Sequence, residues 1–116
     1  MTAPNIVSVS TITGKTAVQV VGASPTAIVT NSGSSGTVLK INSLYAANVT
    51  ASAASITVDI YRSSVAYRIT YAISIPAGTT LDILSKAIYL EEGDTLRLTS
   101  GTASAIEAVS SYEVIA

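Results

Sequence analysis

The sequence predicts an all-β protein: one antiparallel β-sandwich of about eight strands, jelly-roll or immunoglobulin-like, formed by residues 1–116 as a single domain. Three observations predict it. Val, Ile and Thr, whose branched side chains pack well on a pleated sheet, supply 40 of the 116 residues. Short runs of alternating apolar and polar residues are separated by turn-forming residues. No stretch repeats its apolar residues at helical spacing.

The first half of the chain holds four predicted strands. They cover Ile6–Thr13, Thr16–Val21, Thr26–Thr30 and Thr37–Val49. Gly14-Lys15 is expected to end the first strand. The Gly22–Pro25 segment is predicted to turn, because proline fixes φ and glycine adds conformational freedom. The Ser- and Gly-rich segment Asn31–Gly36 is either a plain connection or a mobile tip.

Strict alternation along Thr37–Val49 places Leu39, Ile41 and Tyr45 on one face, which we expect to be the core face. The other face then carries Val38, Leu44 and Ala46 as well as Lys40. That second face is too apolar to be simply solvated, so we expect it to meet a neighbouring chain. The small, polar segment that follows, Thr50–Ser55, is a predicted loop.

The second half begins with two long alternating runs, Ser55–Arg62 and Val65–Ile75, which form a predicted hairpin around Ser63-Ser64. Pro76–Thr79 and the acidic Glu91–Asp94 are predicted turns. The remaining strands are predicted at Thr80–Leu84, Ala87–Leu90, Thr95–Thr99 and Ala105–Ile115. The first two of these are alternatively one strand with a bulge near Ser85-Lys86.

Every aromatic residue is a tyrosine. Alternation places four of them on expected core faces, namely Tyr45, Tyr67, Tyr71 and Tyr112. Tyr61 and Tyr89 fall on the opposite faces. Since tyrosine is enriched at protein interfaces, these two are candidates for a subunit contact, or alternatively for lining a ligand site.

The composition excludes several classes of function. Because the chain has no Cys and no His, disulfide scaffolds, thiol nucleophiles and imidazole-based triads are absent. Six basic and seven acidic residues give a net charge of −1, which argues against a protein that binds nucleic acid by neutralising phosphates. We expect no catalytic residue, no cofactor, no metal and no nucleic-acid partner.

Charged residues make up only 11% of the chain, whereas a fully solvated surface carries about 25–35%. One interpretation is that part of the surface faces other subunits rather than water. The other is a monomer coated with serine and threonine. We favour assembly.

Some residues resemble chemical motifs. Glu91, Glu92 and Asp94 could act as acid and base or, with Asp82 or Asp59, bind calcium. The spacing does not match an EF-hand, and solvated charges are common at turns, so we prefer a turn without catalytic or metal function. Ser85-Lys86 lacks the spacing of a serine–lysine nucleophile pair. Asn48-Val49-Thr50 matches a glycosylation sequon, which we interpret as chance.

The sequence shows neither of two common membrane-related signals. No segment approaches the ~20 apolar residues that span a bilayer. The start of the chain, Met1–Pro4, lacks the basic and apolar regions of a signal peptide. We therefore expect a soluble protein that does not act at a membrane and is made in a cytoplasm.

Several segments together carry a family resemblance. They are Ile12–Thr16, Ile28–Asn31, Ile75–Leu81, Ile88–Leu98 and Glu107–Ile115. With them the chain resembles, over most of its length, small virion structural proteins of tailed bacteriophages, including those that infect cyanobacteria. The resemblance implies a β-sandwich that binds the outside of a capsid or sits in a tail. It implies no catalytic residue.

Capsid decoration, or cement, proteins of this type commonly form trimers on the shell. The resemblance thus implies a homotrimer located in the virion, with the major capsid protein or a tail protein as partner. We expect contacts at Leu44, Tyr61 and Tyr89, and at the tips Asn31–Gly36 and Thr50–Ser55. The alternative is a tail, baseplate or fibre-tip module that grips a host glycan through a tyrosine-lined or calcium-dependent site.

Overall fold

The chain passes back and forth between two antiparallel sheets. A computed structural model describes residues 10–116 of the protein. In that part of the chain the strands are β1 (Ile12–Val20), β2 (Thr26–Thr30), β3 (Val38–Asn48), β4 (Ala54–Arg62), β5 (Val65–Ile75), β6 (Thr80–Asp82), β7 (Ile88–Leu90), β8 (Thr95–Ser100) and β9 (Ile106–Ile115). The predicted all-β class is confirmed.

The first sheet has the order β1-β9-β3, with β6 and β7 on the other edge of β3, and the second sheet has the order β2-β8-β4-β5. The sequence left open whether β6 and β7 form one interrupted strand. They follow one another along β3, since Asp82 pairs with Tyr45 and Ile88 pairs with Ile41. The interruption falls at Ser85-Lys86, as expected. Residues 10–116 include no helix of the length and apolarity that crossing a membrane requires.

The core lies between the sheets and is made almost entirely of aliphatic side chains. Its largest fully buried members are Ile41, Leu44, Ile56, Ile75, Leu90, Leu96, Leu98 and Ile106. Burying one such side chain stabilises the fold by about 1.5–3 kcal/mol. Both sheets contribute, so the core depends on contacts between residues far apart in the sequence.

The expected break at Gly14-Lys15 is wrong. β1 continues through it, because Gly14 pairs with Glu113 and Lys15 with Tyr112 in an uninterrupted ladder to β9. A long, regular partner strand outweighs the weak local strand preference of glycine. The start of the predicted strand Ile6–Thr13 lies outside the described residues, and its end belongs to β1.

The assignment of faces in β3 is also wrong beyond Ile41. The pairing of β3 with β9 shifts between Ile41 and Ser43, so that Asn42 forms a bulge and the alternation of side chains changes sides. Leu44 is therefore fully buried in the core, and Tyr45 is 44% exposed on the outside. Both residues were expected on the opposite faces.

The same cause explains the errors in β5. Its pairing with β4 shifts twice, and Ala72 takes a positive φ of 49° while donating its N–H to Thr57 Oγ1. Tyr67 and Tyr71, expected in the core, are exposed, Tyr71 by 70%. Tyr112 does pack against the core, as predicted, because β9 keeps a regular alternation.

Candidate functional site

Exposed apolar side chains form a row across the outer face of the first sheet. Val18 of β1, Val109 of β9 and Tyr45 of β3 are successive cross-strand partners, and Val18 is 75% exposed. We call these three residues the outer row. Apolar side chains so exposed on neighbouring strands are typical of a contact surface rather than of scattered surface residues.

A shallow cavity of about 460 Å³ adjoins the outer row, lined by Val18, Gln19, Val20 and residues 107–109. Gln19 points towards the sandwich, and its Nε2 donates a hydrogen bond of 2.8 Å to the carbonyl of Ala27 on β2. Along β1 the polar Gln19 thus faces inward and the two valines face outward. The alternation of valine and glutamine was visible in the sequence, but not which of the two faces was buried.

The outer face of the second sheet carries arginine stacked on tyrosine. Arg97 lies 3.9 Å from the ring centroid of Tyr61, and its Nε donates a 2.8 Å hydrogen bond to the buried carboxylate of Asp59. Arg68 lies 5.4 Å from the ring of Tyr71 on β5. Cation–π contacts of this kind hold the rings in place. Tyr61 is half-buried as a result.

The three predicted contact residues lie in three different environments. Leu44 is in the core, so it is not available to a partner at the surface of the folded domain. Tyr61 lies on the outer face of the second sheet. Tyr89 is 42% exposed on the outer face of the first sheet, paired with Lys40. Tyr61 and Tyr89 are therefore on opposite sides of the sandwich.

The acidic turn Glu91–Asp94 is an anchoring point. Arg62, at the end of β4, donates from Nε and Nη2 to the two oxygens of Asp94, and from Nη2 to Glu91. The hydrogen bonds from Arg62 hold the pKa of the Asp94 carboxyl below its usual range, although burial opposes this. The pKa of the Arg62 guanidinium is raised, chiefly by its hydrogen bond to Asp94. Arg62 thus ties β4 to the turn before β8.

The Asn31–Gly36 loop is hydrogen-bonded to the same turn. Buried Asn31 donates from Nδ2 to the carbonyls of Thr37 and Leu90, each at 3.0 Å, and accepts from Ser35 and Thr37 at Oδ1. Glu92 accepts a 2.9 Å hydrogen bond from the N–H of Gly36. Of the two expectations for this segment, a fixed connection fits this geometry better than a mobile tip.

Asn48 has the corresponding role at the other end of β3. It is buried, and its Nδ2 donates to the carbonyls of Ser52 and Ile75, while its Oδ1 accepts from the N–H and the hydroxyl of Thr50. The asparagine of the sequon therefore organises the loop Thr50–Ser55. Its amide group is fully used within the fold.

The carboxylates proposed for calcium are not brought together. Asp59 is bound to Arg97, whereas Glu91 and Asp94 are bound to Arg62. Among residues 10–116 no three acidic side chains lie close enough to hold a metal ion. These carboxylates position strands and turns, and their closest charged partners are arginines rather than one another.

Comparisons with known proteins bear on the fold. No family model and no curated protein matches the sequence. A solved structure of a protein from Bacillus endospore appendages, described as disulfide-linked pili, is 15% identical, covers 90% of this chain and 85% of its own, and has a TM-score of 0.54.

Two structures of a pentameric capsid protein from metagenomic phage sequences are each 18% identical, with TM-scores of 0.44 and 0.43. They cover 84% of this chain, which spans 60% and 59% of theirs. At 15% identity, the likeness to the appendage protein shows a shared fold.

Proposed function

We propose that the protein is a non-enzymatic structural subunit of a phage virion, namely a capsid decoration protein that binds the outer capsid surface and stabilises the shell as a homo-oligomer. The observation that carries this proposal is the weakly charged, partly apolar surface of the sandwich. Only 11% of the residues are charged, and the outer faces of both sheets expose apolar or aromatic side chains. Such surfaces are best explained by burial against other subunits.

The shared fold with the endospore appendage protein supports a role in assembly, because that protein is described as forming pili. Those pili are disulfide-linked, whereas this chain contains no cysteine. Contacts between its subunits would therefore be non-covalent, and many weak contacts repeated over a shell would supply the affinity.

We further propose that the sandwich is a jelly roll rather than immunoglobulin-like. With β6 and β7 taken as one interrupted strand, the sheets have the orders β1-β9-β3-β6/β7 and β2-β8-β4-β5. Two four-stranded sheets with the first and last strands adjacent, and with every connection except the β4–β5 hairpin crossing between the sheets, match the paired Greek keys of a jelly roll.

The positions of Tyr61 and Tyr89 support a cyclic oligomer, for which we propose a homotrimer. A ring requires two different patches on each subunit, one meeting the other on the next subunit. Tyr61 on the second sheet and Tyr89 on the first are two such patches.

The alternative is a tail, baseplate or fibre-tip protein that binds a host glycan. A small cavity of about 220 Å³ beside Ile60, Arg62 and Tyr67 favours it, since ring faces and a charged group are common in ligand sites. The open position of this cavity near the edge of the second sheet makes it a weaker argument than the apolar outer faces.

The test has two parts, beginning with the mass of the purified chain by light scattering over a concentration series. We expect a trimer that Tyr89→Lys dissociates, whereas Tyr71→Lys, also exposed to solvent but on the edge strand β5, leaves the mass unchanged.

In the second part, the labelled protein is mixed with expanded empty capsids and with isolated tails of the encoding phage. Binding to capsids supports decoration. Binding to tails or to host cells only would overturn it.

A further inference from the structure

We propose that the free edge of β1 pairs with β1 of a second copy of this chain, antiparallel about a two-fold axis through Thr16. The pairing would join two copies of the first sheet into one continuous sheet. It rests on the proposed self-assembly and adds to it a second, weaker contact, distinct from the Tyr61 and Tyr89 patches, that would join subunits of separate trimers at higher concentrations.

The directions of the backbone N–H and C=O groups show which residues of β1 can form hydrogen bonds to a second strand. Thr11 and Ala116 exchange two hydrogen bonds of 3.0 Å, and Val21 donates to Ile106 at 2.8 Å, so the odd-numbered residues that flank β1 point towards β9. Backbone groups alternate along a strand. Ile12, Gly14, Thr16, Val18 and Val20 consequently direct their N–H and C=O groups to the other edge, where no strand of residues 10–116 pairs with them.

The other edges of the two sheets carry features that discourage strand addition. β5 is bulged twice, β2 has five residues and a register shift, and β6 and β7 have three residues each. Bulges and short length are the devices by which proteins protect edge strands. β1 is nine residues long, keeps a continuous register and contains no proline. It is therefore the edge best suited to accept a strand.

Self-pairing through Thr16 uses the whole of β1, and the side chains that it places opposite one another fit in size and polarity. Ile12 would lie opposite the second copy's Val20, an apolar pair of the kind that stabilises sheets. Val18 would lie opposite Gly14, where even an added methyl group would meet nothing within 4 Å, so the valine has room. Each N–H and C=O on the free edge would find a partner.

Charge selects this register over its neighbour. Lys15 lies opposite Ala17 of the second copy when the axis passes through Thr16. If the axis passed through Lys15 instead, the two lysines would face one another directly, which is unfavourable. The charge thus disfavours the register centred on Lys15, and among the remaining registers the one through Thr16 pairs the greatest length of β1.

The test uses the free chain without capsids. Thr16→Pro removes an N–H from the free edge and none from the ladder to β9, so the domain should still fold while its β1-dependent association weakens about tenfold or more. Asn42→Lys is the matched control, because it places a charge at an exposed position of the same sheet, two strands away from the edge. We expect it to leave this association unchanged. Val109→Lys, in the outer row, tests packing through the face of the sheet, and loss of association with this variant but not with Thr16→Pro would overturn edge pairing.

Cross-linking provides the second measurement, and because the chain has no cysteine, each introduced thiol is unique. Thr16→Cys should form a disulfide-linked dimer on mild oxidation, because directly opposed residues are within bridging distance. Ile12→Cys and Val20→Cys chains should cross-link far better when mixed than when separate. If neither pattern appears, the pairing is wrong, even if the protein binds capsids. If both appear and capsids are not bound, only the decoration proposal fails.

Discussion

Arg62 holds the buried carboxylate of Asp94 with two hydrogen bonds, from Nε to Oδ1 at 2.7 Å and from Nη2 to Oδ2 at 2.5 Å. The second oxygen of Asp94 also accepts the N–H of Glu91 at 2.8 Å. The pair joins the end of β4 to the turn that precedes β8, and thereby fixes one end of the second sheet.

Asp94→Asn should lower the free energy of unfolding. The amide group must present an NH₂ to one of the donors on Arg62 or Glu91, so at least one hydrogen bond is lost and two donors oppose each other. We expect a loss of about 1–3 kcal/mol, kept moderate because Arg62 is half exposed. Urea unfolding measures it. Glu91→Gln is the control, since Glu91 is largely exposed and its change should cost less than about 1 kcal/mol.

Acid should destabilise the protein partly through Asp94. Its pKa is lower in the folded chain than the value of about 3.9 expected when unfolded. As the pH falls, the unfolded chain takes up the proton first, so the contribution of Asp94 is complete above about pH 4 and is lost as the pH falls through the folded pKa. Unfolding of Asp94→Asn between pH 5 and pH 2 should therefore depend less on pH than that of the wild type. Identical slopes would contradict this assignment.

Asn31→Ala should be more damaging than its size suggests. The substitution leaves the buried carbonyl of Leu90 and the carbonyl of Thr37 without their amide donor, at a cost of about 1–3 kcal/mol for each buried group left unpaired. Asn42→Ala is the control, because Asn42 is exposed at the bulge of β3. Thermal unfolding and hydrogen exchange in the Asn31–Gly36 loop would measure both changes; equal effects would show that the buried network contributes little.

Because of the bulge in β3, we expect two adjacent residues to contribute very differently to the free energy of unfolding. Leu44→Ala removes a fully buried side chain and should cost about 2–5 kcal/mol. Tyr45→Ala removes a side chain on the outside and should cost less than about 1 kcal/mol. The relative unfolding midpoints decide the register. A larger loss for Tyr45→Ala would mean that the unbroken alternation is correct after all.

The sequence predicts the strands better than their faces. Alternation and turn residues located the strands, because both are local properties of the chain. The face of Leu44 or Tyr71 depends on bulges, and these form in response to pairing with β9 and β4, which depends on the whole fold. The roles of Arg62 and Asp94 were missed for the same reason: only the folded sandwich brings the end of β4 beside the turn after β7.

The bulge at Asn42 has a consequence for tracing the ancestry of this protein. Inward and outward positions on β3 follow one parity before Asn42 and the other parity after it. An ungapped alignment with a protein whose equivalent strand is regular would match interior positions to exterior ones in one half of the strand. The alignment would then underestimate the sequence similarity of two related proteins along β3, which crosses the middle of the core. A single-residue gap placed at position 42 should restore the match between interior positions.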